Sequence, residues 1–255
     1  DQYQRLTEKF RQFGMGDAAL EQAEKFASAA NIAGQSNRDM LRHFQEAQGV
    51  FRESGKKTIE EQLEGARLAA PVLAKIATAT AGLDEHGKKM SHAQSLDMLR
   101  FVEIAGGLKN ANRFNALADA GFKAIQSSGG NVDWAQMRQF MSKAGSSAMN
   151  LSDRALFAEL EPIIGELKGG AAGDGLQTLT NRLNGITKLP NQVAQMMMQQ
   201  GLWDKSKITL NSQGGVKTMN GNPLVGADTL AHSTLAYYES YLLPSYRKRG
   251  LSEVE

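Results

Sequence analysis

Apolar residues recur along most of the chain at steps of three and four, the spacing that places them on one face of an α-helix. Leu6, Phe10 and Phe13 form the first such stripe, closed by Gly14. Leu20, Ala23, Phe26, Ala27 and Ala30 form a second, and Met40, Leu41, Phe44, Ala47 and Phe51 a third. Thr58 followed by Glu61 has the spacing of a capping box, in which each side chain serves the other residue's backbone N–H, so another helix opens there. Pro71 lacks an N–H and crowds the preceding turn, which predicts a kink or a break. The polar run Asp84–Ser95 reads as a loop, after which Leu96, Leu99 and Val102 resume the helical pattern. The cleanest stripe is Phe114, Leu117, Ala118, Gly121, Phe122 and Ile125, and Trp134, Met137, Phe140, Met141 and Ala144 repeat it.

Beyond Asn150, Ser152 is placed as an N-cap, and Pro162 predicts a second kink. Four glycines between Gly169 and Gly175 predict a flexible turn, followed by a stripe of Leu176, Leu179, Leu183 and Ile186. Val193 and Met197 belong to a further helix. The character changes after Gly201. Ile208, Leu210 and Val216 flank the turn Ser212–Gly215, a hairpin signal, and an irregular stretch follows. A last helix carries Leu235, Tyr238, Leu242 and Leu243 to Pro244. The fold class expected is therefore all-α: a compact multi-helix domain of about ten short helices, with at most one small β-hairpin in the C-terminal third. Residues 1–255 read as one helical module excised from a longer chain, with a subdivision into N-terminal helices over 1–83 and a main helical region over 91–255.

Composition narrows the chemistry. Hydrophobic residues make up 41% and charged residues 22%, which fits a folded chain rather than a disordered one. A net charge of +2 is too small to imply a nucleic-acid partner, and no apolar run reaches the ~18 residues of a membrane span. The chain has no cysteine, which rules out disulfides, thiolate metal sites and a cysteine nucleophile.

Several stretches carry a chemical alternative. The glycines of "AIQSSGGNVDWAQMRQF" (Ala124–Phe140) resemble a phosphate cradle. Such a loop normally follows a strand and brings a lysine, whereas here a helix precedes and no Lys or Arg lies between Ser127 and Ala135. A helix joint accounts for the stretch better: Gly129 past one C-terminus, Asp133 capping the next helix with Gln136 three residues on. Gly169–Gly175 fails as a nucleotide loop on the same grounds. His43, His86, His92 and His232 form no metalloprotease pair, and no Glu-x-x-His is present for a di-metal bundle. No G-x-S-x-G elbow occurs. Met196–Met198 reads as core filling with one or two residues inward, and the basic "PSYRKRG" at Pro244–Gly250 as a cationic helix end. No catalytic, cofactor-binding or metal-ligating residue is assigned, and no cofactor.

Four segments in fixed order resemble a region of phage and prophage tail tape measure proteins. They are "LRFVEIAGGLKNANRFNALADAGFKAIQSSGGNVD", "NLSDRALFAEL", "QGLWDKSKI" and "NPLVGADTL" continuing into "YYESYLLPSYRKRGL", together about Leu99 to Leu251. The resemblance implies a non-catalytic structural component of a tail. Proteins of that family set tail length, serve as the core on which the tail tube assembles, and leave with the DNA at ejection. It implies tail-tube and tail-assembly proteins as partners, with self-association in the tail also open. It places the chain in the virion tail lumen, and in the bacterial cytoplasm during assembly. A ruler built of one helix of this length would run on the order of 380 Å at ~1.5 Å per residue. A compact domain of this size has a radius of gyration of about 18 Å. The glycines and prolines favour the compact form, a folded module rather than the ruler itself.

The residues leave two other classes open. One is a helical binding or scaffold module unrelated to phage. The other is a peptidoglycan-cleaving helical domain, for which Glu103, Glu159 and Glu166 are the helix-borne carboxylates to test.

Overall fold

The computed structural model describes residues 2–12, 14–53 and 58–250. Phe13 of the first stripe and Leu251 at the end of the last resembling segment lie outside the described residues. The described chain is all-α, with one two-stranded hairpin. Backbone contacts group it into two compact units, Asp1–Gln126 with Asp133–Arg138, and Ser127–Val132 with Gln139–Glu255.

The first unit contains α1 (Gln2–Gln12), α2 (Gly16–Ala29), α3 (Asn37–Glu53), α4 (Ile59–Ala79), α5 (Glu85–Ile104), most of α6 (Ala111–Ser127) and the start of α7 (Trp134–Ala144). α3 is its centre: it packs most extensively on α4 and also meets α1, α2 and α5. Its apolar stripe is buried as expected, with Met40, Leu41, Phe44, Ala47 and Phe51 all inside. The facing side of α4 is made of small residues, Gly65, Ala66, Ala69 and Ala70, which let the two helices approach. A Cβ at Gly65 would stand 2.7 Å from the Phe51 ring. In this apolar contact Gln48 Nε2 donates to Gln62 Oε1 at 2.8 Å, while Gln48 Oε1 is buried without a hydrogen-bond partner among the described residues.

The capping box at Thr58 is formed in both directions, and α4 runs 21 residues through Pro71 without a break. Asp84–Ser95 is not a loop: α5 begins at Glu85, because Asp84 caps it by accepting from Gly87 N at 2.7 Å. Its polar residues are mostly good helix formers, so the segment lacks an apolar face rather than helical preference.

The second unit contains the end of α7, a π-helical turn Ala155–Glu159, α8 (Glu161–Leu167), α9 (Gly169–Leu183), α10 (Asn191–Gln199), β1 (Ile208–Leu210), β2 (Val216–Met219), α11 (Ala227–His232), α12 (Thr234–Tyr237), a second π turn Tyr238–Leu242, and α13 (Leu243–Lys248). The strands pair antiparallel in the register Ile208↔Met219 and Thr209↔Thr218, with an irregularity before Leu210↔Val216.

Three sequence expectations are corrected here. Pro162 does not kink a helix interior; it sits in the first turn of α8, where a missing N–H is harmless. Gly169–Gly175 is not a flexible turn but the first half of α9. Its glycines are contact residues: a Cβ at Gly173 would lie 2.6 Å from Phe140 O and 2.7 Å from Lys143 Cβ, so only glycine lets α9 lie this close to α7. The final helix does not stop at Pro244, which opens α13. Leu235 and Tyr238 of the expected stripe are exposed while Tyr237 is fully buried, and the π turn Tyr238–Leu242 follows directly.

Candidate functional site

The stretch Ala124–Phe140 is a helix joint. Gly129 and Gly130 carry φ of +64° and +91° just past α6, a conformation that a Cβ would strain. Ser128 Oγ accepts from Val132 N at 3.2 Å, closing the turn. Asp133 Oδ1 accepts from Gln136 N at 2.8 Å and so caps α7. Gln94 of α5 accepts from Trp134 N at 2.9 Å, and Arg138 Nε donates to Asp97 at 2.6 Å. The Trp134 ring then lies 5.5 Å from Phe101.

Two of the four segments singled out in the sequence meet in the second unit. In "QGLWDKSKI" and "NPLVG" the backbones pair: Asp204 N donates to Pro223 O at 2.8 Å, Val225 N to Leu202 O at 2.9 Å, and Trp203 bridges antiparallel to Leu224. Trp203 is 2% exposed, and its indole Nε1 donates to Leu183 O at 2.6 Å. Around it cluster Met197, Met198, Leu202, Leu224, Leu230 and Tyr237, the last drawn from "YYESYLLP". Two of the three consecutive methionines thus face inward.

A second junction lies between the first π turn and α11–α12. Ser152 N donates to His232 O at 3.0 Å, and Ser233 Oγ donates to Glu159 Oε2 at 2.6 Å. Ser233 also caps α12 by accepting from Ala236 N, and Arg154 pairs with Glu159 at 3.2 Å. Glu159 is therefore a structural tie between segments 74 residues apart. Glu103 belongs to the first unit, while Glu159 and Glu166 belong to the second.

The remaining chemistry gathers in the first unit. A cleft of about 480 Å³ is lined by Gln35 ahead of α3, by Asp39, Arg42, His43 and Glu46 of α3, and by Thr80, Lys88, His92 and Ser95 of α4 to α5. His43 is buried, with Nε2 3.1 Å from Gln35 Oε1 and Nδ1 3.5 Å from Glu46 Oε2. Burial works to raise the Glu46 carboxyl, but the His43 hydrogen bond and the charges of His92, His43 and Arg42 outweigh it and hold its pKa below the usual value. The histidines taken one by one do not show this pair; its signal in the sequence is His43 and Glu46 at i, i+3, one turn apart on the same helix. His232 Nδ1 instead lies 2.7 Å from Asp228 O, one turn back in its own helix.

Among the described residues no three or more His, Asp or Glu side chains come together as a metal site, and no helix is long and apolar enough to cross a membrane. Arg247 and Lys248 fall in the last turn of α13, where positive charge complements the helix dipole. No protein-family model, curated protein or solved structure matches the chain.

Proposed function

We propose that this chain is a non-catalytic structural segment of a phage or prophage tail tape measure protein, a helical module that works in tail assembly and leaves the tail with the DNA. The observation that carries the reading is the joint order of the four segments along the chain. It gains support from their placement. "QGLWDKSKI" and "NPLVG" pair backbone to backbone, and "YYESYLLP" supplies Tyr237 to the same core. Segments that are unremarkable as chemistry thus have a packing reason to occur together.

The expected partners are tail-tube and tail-assembly proteins, and further copies of the chain in the tail. The expected location is the tail lumen, with the bacterial cytoplasm during assembly. The longest helix, α4, has 21 residues and so spans only ~32 Å at ~1.5 Å per residue. Helices this short, packed side by side, are wider than a single helix of ~10–12 Å diameter, so the module opens or rearranges when it is threaded through a tube. The junction of Ser152 with His232 is a place to lock it, since the chain has no cysteine of its own.

In-frame removal of the codons for residues 99–250 tests the function. The expected outcome is heads without normal tails; tails of parental number and length would contradict it. The pair S152C and H232C tests the rearrangement. Oxidised particles are expected to lose tail assembly or DNA ejection and to recover it on reduction, and unchanged infectivity with the disulfide formed would contradict it.

A further inference from the structure

Thr78, in the last turn of α4, has one hydroxyl proton and three neighbours. Its Oγ1 lies 3.1 Å from Ala33 O and 3.0 Å from Ala74 O, two acceptors, and 3.0 Å from Gln35 Nε2, which donates to it. The proton goes to a carbonyl, and Gln35 presents its NH₂ to Thr78 Oγ1. The Gln35 oxygen therefore faces His43 Nε2 at 3.1 Å and accepts from it. Nε2 thus carries a proton. The other ring nitrogen faces Glu46 Oε2 at 3.5 Å, and both atoms are buried with no other partner among the described residues. A bare nitrogen there would set one lone pair against another with no water between them. A protonated one makes an ion pair.

We infer that His43 carries a proton on both ring nitrogens in this arrangement, and that losing one reverses the Gln35 amide, so that His43, Gln35 and Thr78 form a proton-operated latch between the loop ahead of α3 and the C-terminal end of α4. The proton lost is the one on Nε2, because the Glu46 carboxylate holds the one on Nδ1. Nε2 then becomes an acceptor, and Gln35 turns its NH₂ toward it. The Gln35 oxygen now faces Thr78, whose hydroxyl swings round to donate to it and releases the carbonyls of Ala33 and Ala74. A side-chain amide has nearly the same shape in both orientations, so the reversal changes the sense of the hydrogen bonds without repacking the helices.

The charges around the ring favour this sequence. On α3 they are Asp39, Arg42 and Glu46, with Asp39 3.6 Å from Arg42; on α5 they are Lys88 and His92. From α4 and the loop ahead of α3 only uncharged groups line the cleft. Arg5 and Lys9 of α1 and Arg38 of α3 line a neighbouring cleft that shares Asp39 and Arg42. Among the described residues the one carboxylate paired with the ring is Glu46, and it stays ionised to lower pH than an ordinary glutamate.

The test is a pH titration of the ¹⁵N-labelled full chain, following both His43 ring nitrogens and the Gln35 side-chain amide. At low pH both ring nitrogens are expected to show protonated shifts. As pH rises, Nε2 is expected to move to the bare-nitrogen position while Nδ1 keeps its proton, and the Gln35 amide protons shift in the same step. Loss of the proton from Nδ1 with Nε2 still protonated, or a Gln35 amide that stays still throughout, would overturn the latch. The variant E46Q supplies a donor to Nδ1, so its neutral His43 is expected to keep the Nε2 proton and its Gln35 amide to remain silent. An E46Q titration identical to the parent's would remove Glu46 as the cause and overturn the proposal as well.

Discussion

Trp203 and Leu183 are tied side chain to backbone: the indole Nε1 donates to Leu183 O at 2.6 Å from a ring that is 2% exposed. That bond fixes the end of α9 against the segment that follows α10. Two substitutions separate the ring from the bond. W203A removes both and is expected to cost about 3–5 kcal/mol of unfolding free energy. W203F keeps most of the ring but orphans a carbonyl, with an expected cost of about 1–3 kcal/mol. Denaturant unfolding of the full chain measures both, and a W203F variant as stable as the parent would show that the hydrogen bond contributes little.

The glycines of α9 divide into two kinds. A Cβ at Gly173 would press on Phe140 O and Lys143 Cβ, while one at Gly175 would meet nothing within 4 Å. G173A is therefore expected to destabilise by about 1–3 kcal/mol through overpacking. G175A is expected to stabilise by about 0.5–1 kcal/mol, since alanine suits a helix interior better. The comparison of unfolding midpoints is internal to one helix, and effects of the same sign would contradict the close α7–α9 approach.

Tyr237 is fully buried, stacked 5.1 Å from Tyr241, and its hydroxyl has no hydrogen-bond partner among the described residues. Burial pushes its phenol up to about 12, and the Tyr241 hydroxyl adds to the rise. The folded chain thus holds this proton more tightly than the unfolded chain, where a tyrosine titrates near ~10. Its contribution to stability is complete below ~10 and is lost as pH climbs through the folded value. Y237F is expected to flatten the alkaline loss of stability over that window. At neutral pH the same variant is expected to be more stable by about 1 kcal/mol, because it removes a buried polar group without a partner. Unfolding curves recorded between neutral and strongly alkaline pH check both.

Lys168, between α8 and α9, has φ of +67° and ψ of 150°, a region used almost solely by glycine. K168G is expected to raise stability by about 1 kcal/mol by relieving that strain, even though it gives up the Nζ bond to Gly165 O at 3.0 Å on the surface. A lower thermal midpoint for K168G would show that the surrounding contacts require the side chain.

The helices of the first unit were legible because their apolar stripes are regular and their caps lie close in sequence, as Thr58 with Glu61 and Asp133 with Gln136 show. The misread places share a cause: composition was taken for conformation. Asp84–Ser95 is polar yet helical once Asp84 caps it, and the glycines of α9 are small for the sake of α7, a neighbour the linear sequence does not reveal. The face of the last helices escaped because Tyr237 rather than Tyr238 turns inward, and a π turn then interrupts the period of 3.6 residues per turn that single-sequence periodicity assumes. The Trp203 core depended on pairing residues some twenty positions apart. The His43–Glu46 pair was visible as an i, i+3 spacing, but Gln35 and Thr78 reach it only through the packing of α3 on α4.

Protease protection in purified tails tests the central claim most directly. Peptides from residues 99–250, followed by mass spectrometry, are expected in intact particles, resistant to added protease, and to become cleavable or leave the particle once DNA ejection is triggered. Absence of these peptides from tails, or their digestion in intact particles, would contradict the assignment of this chain to the tail lumen.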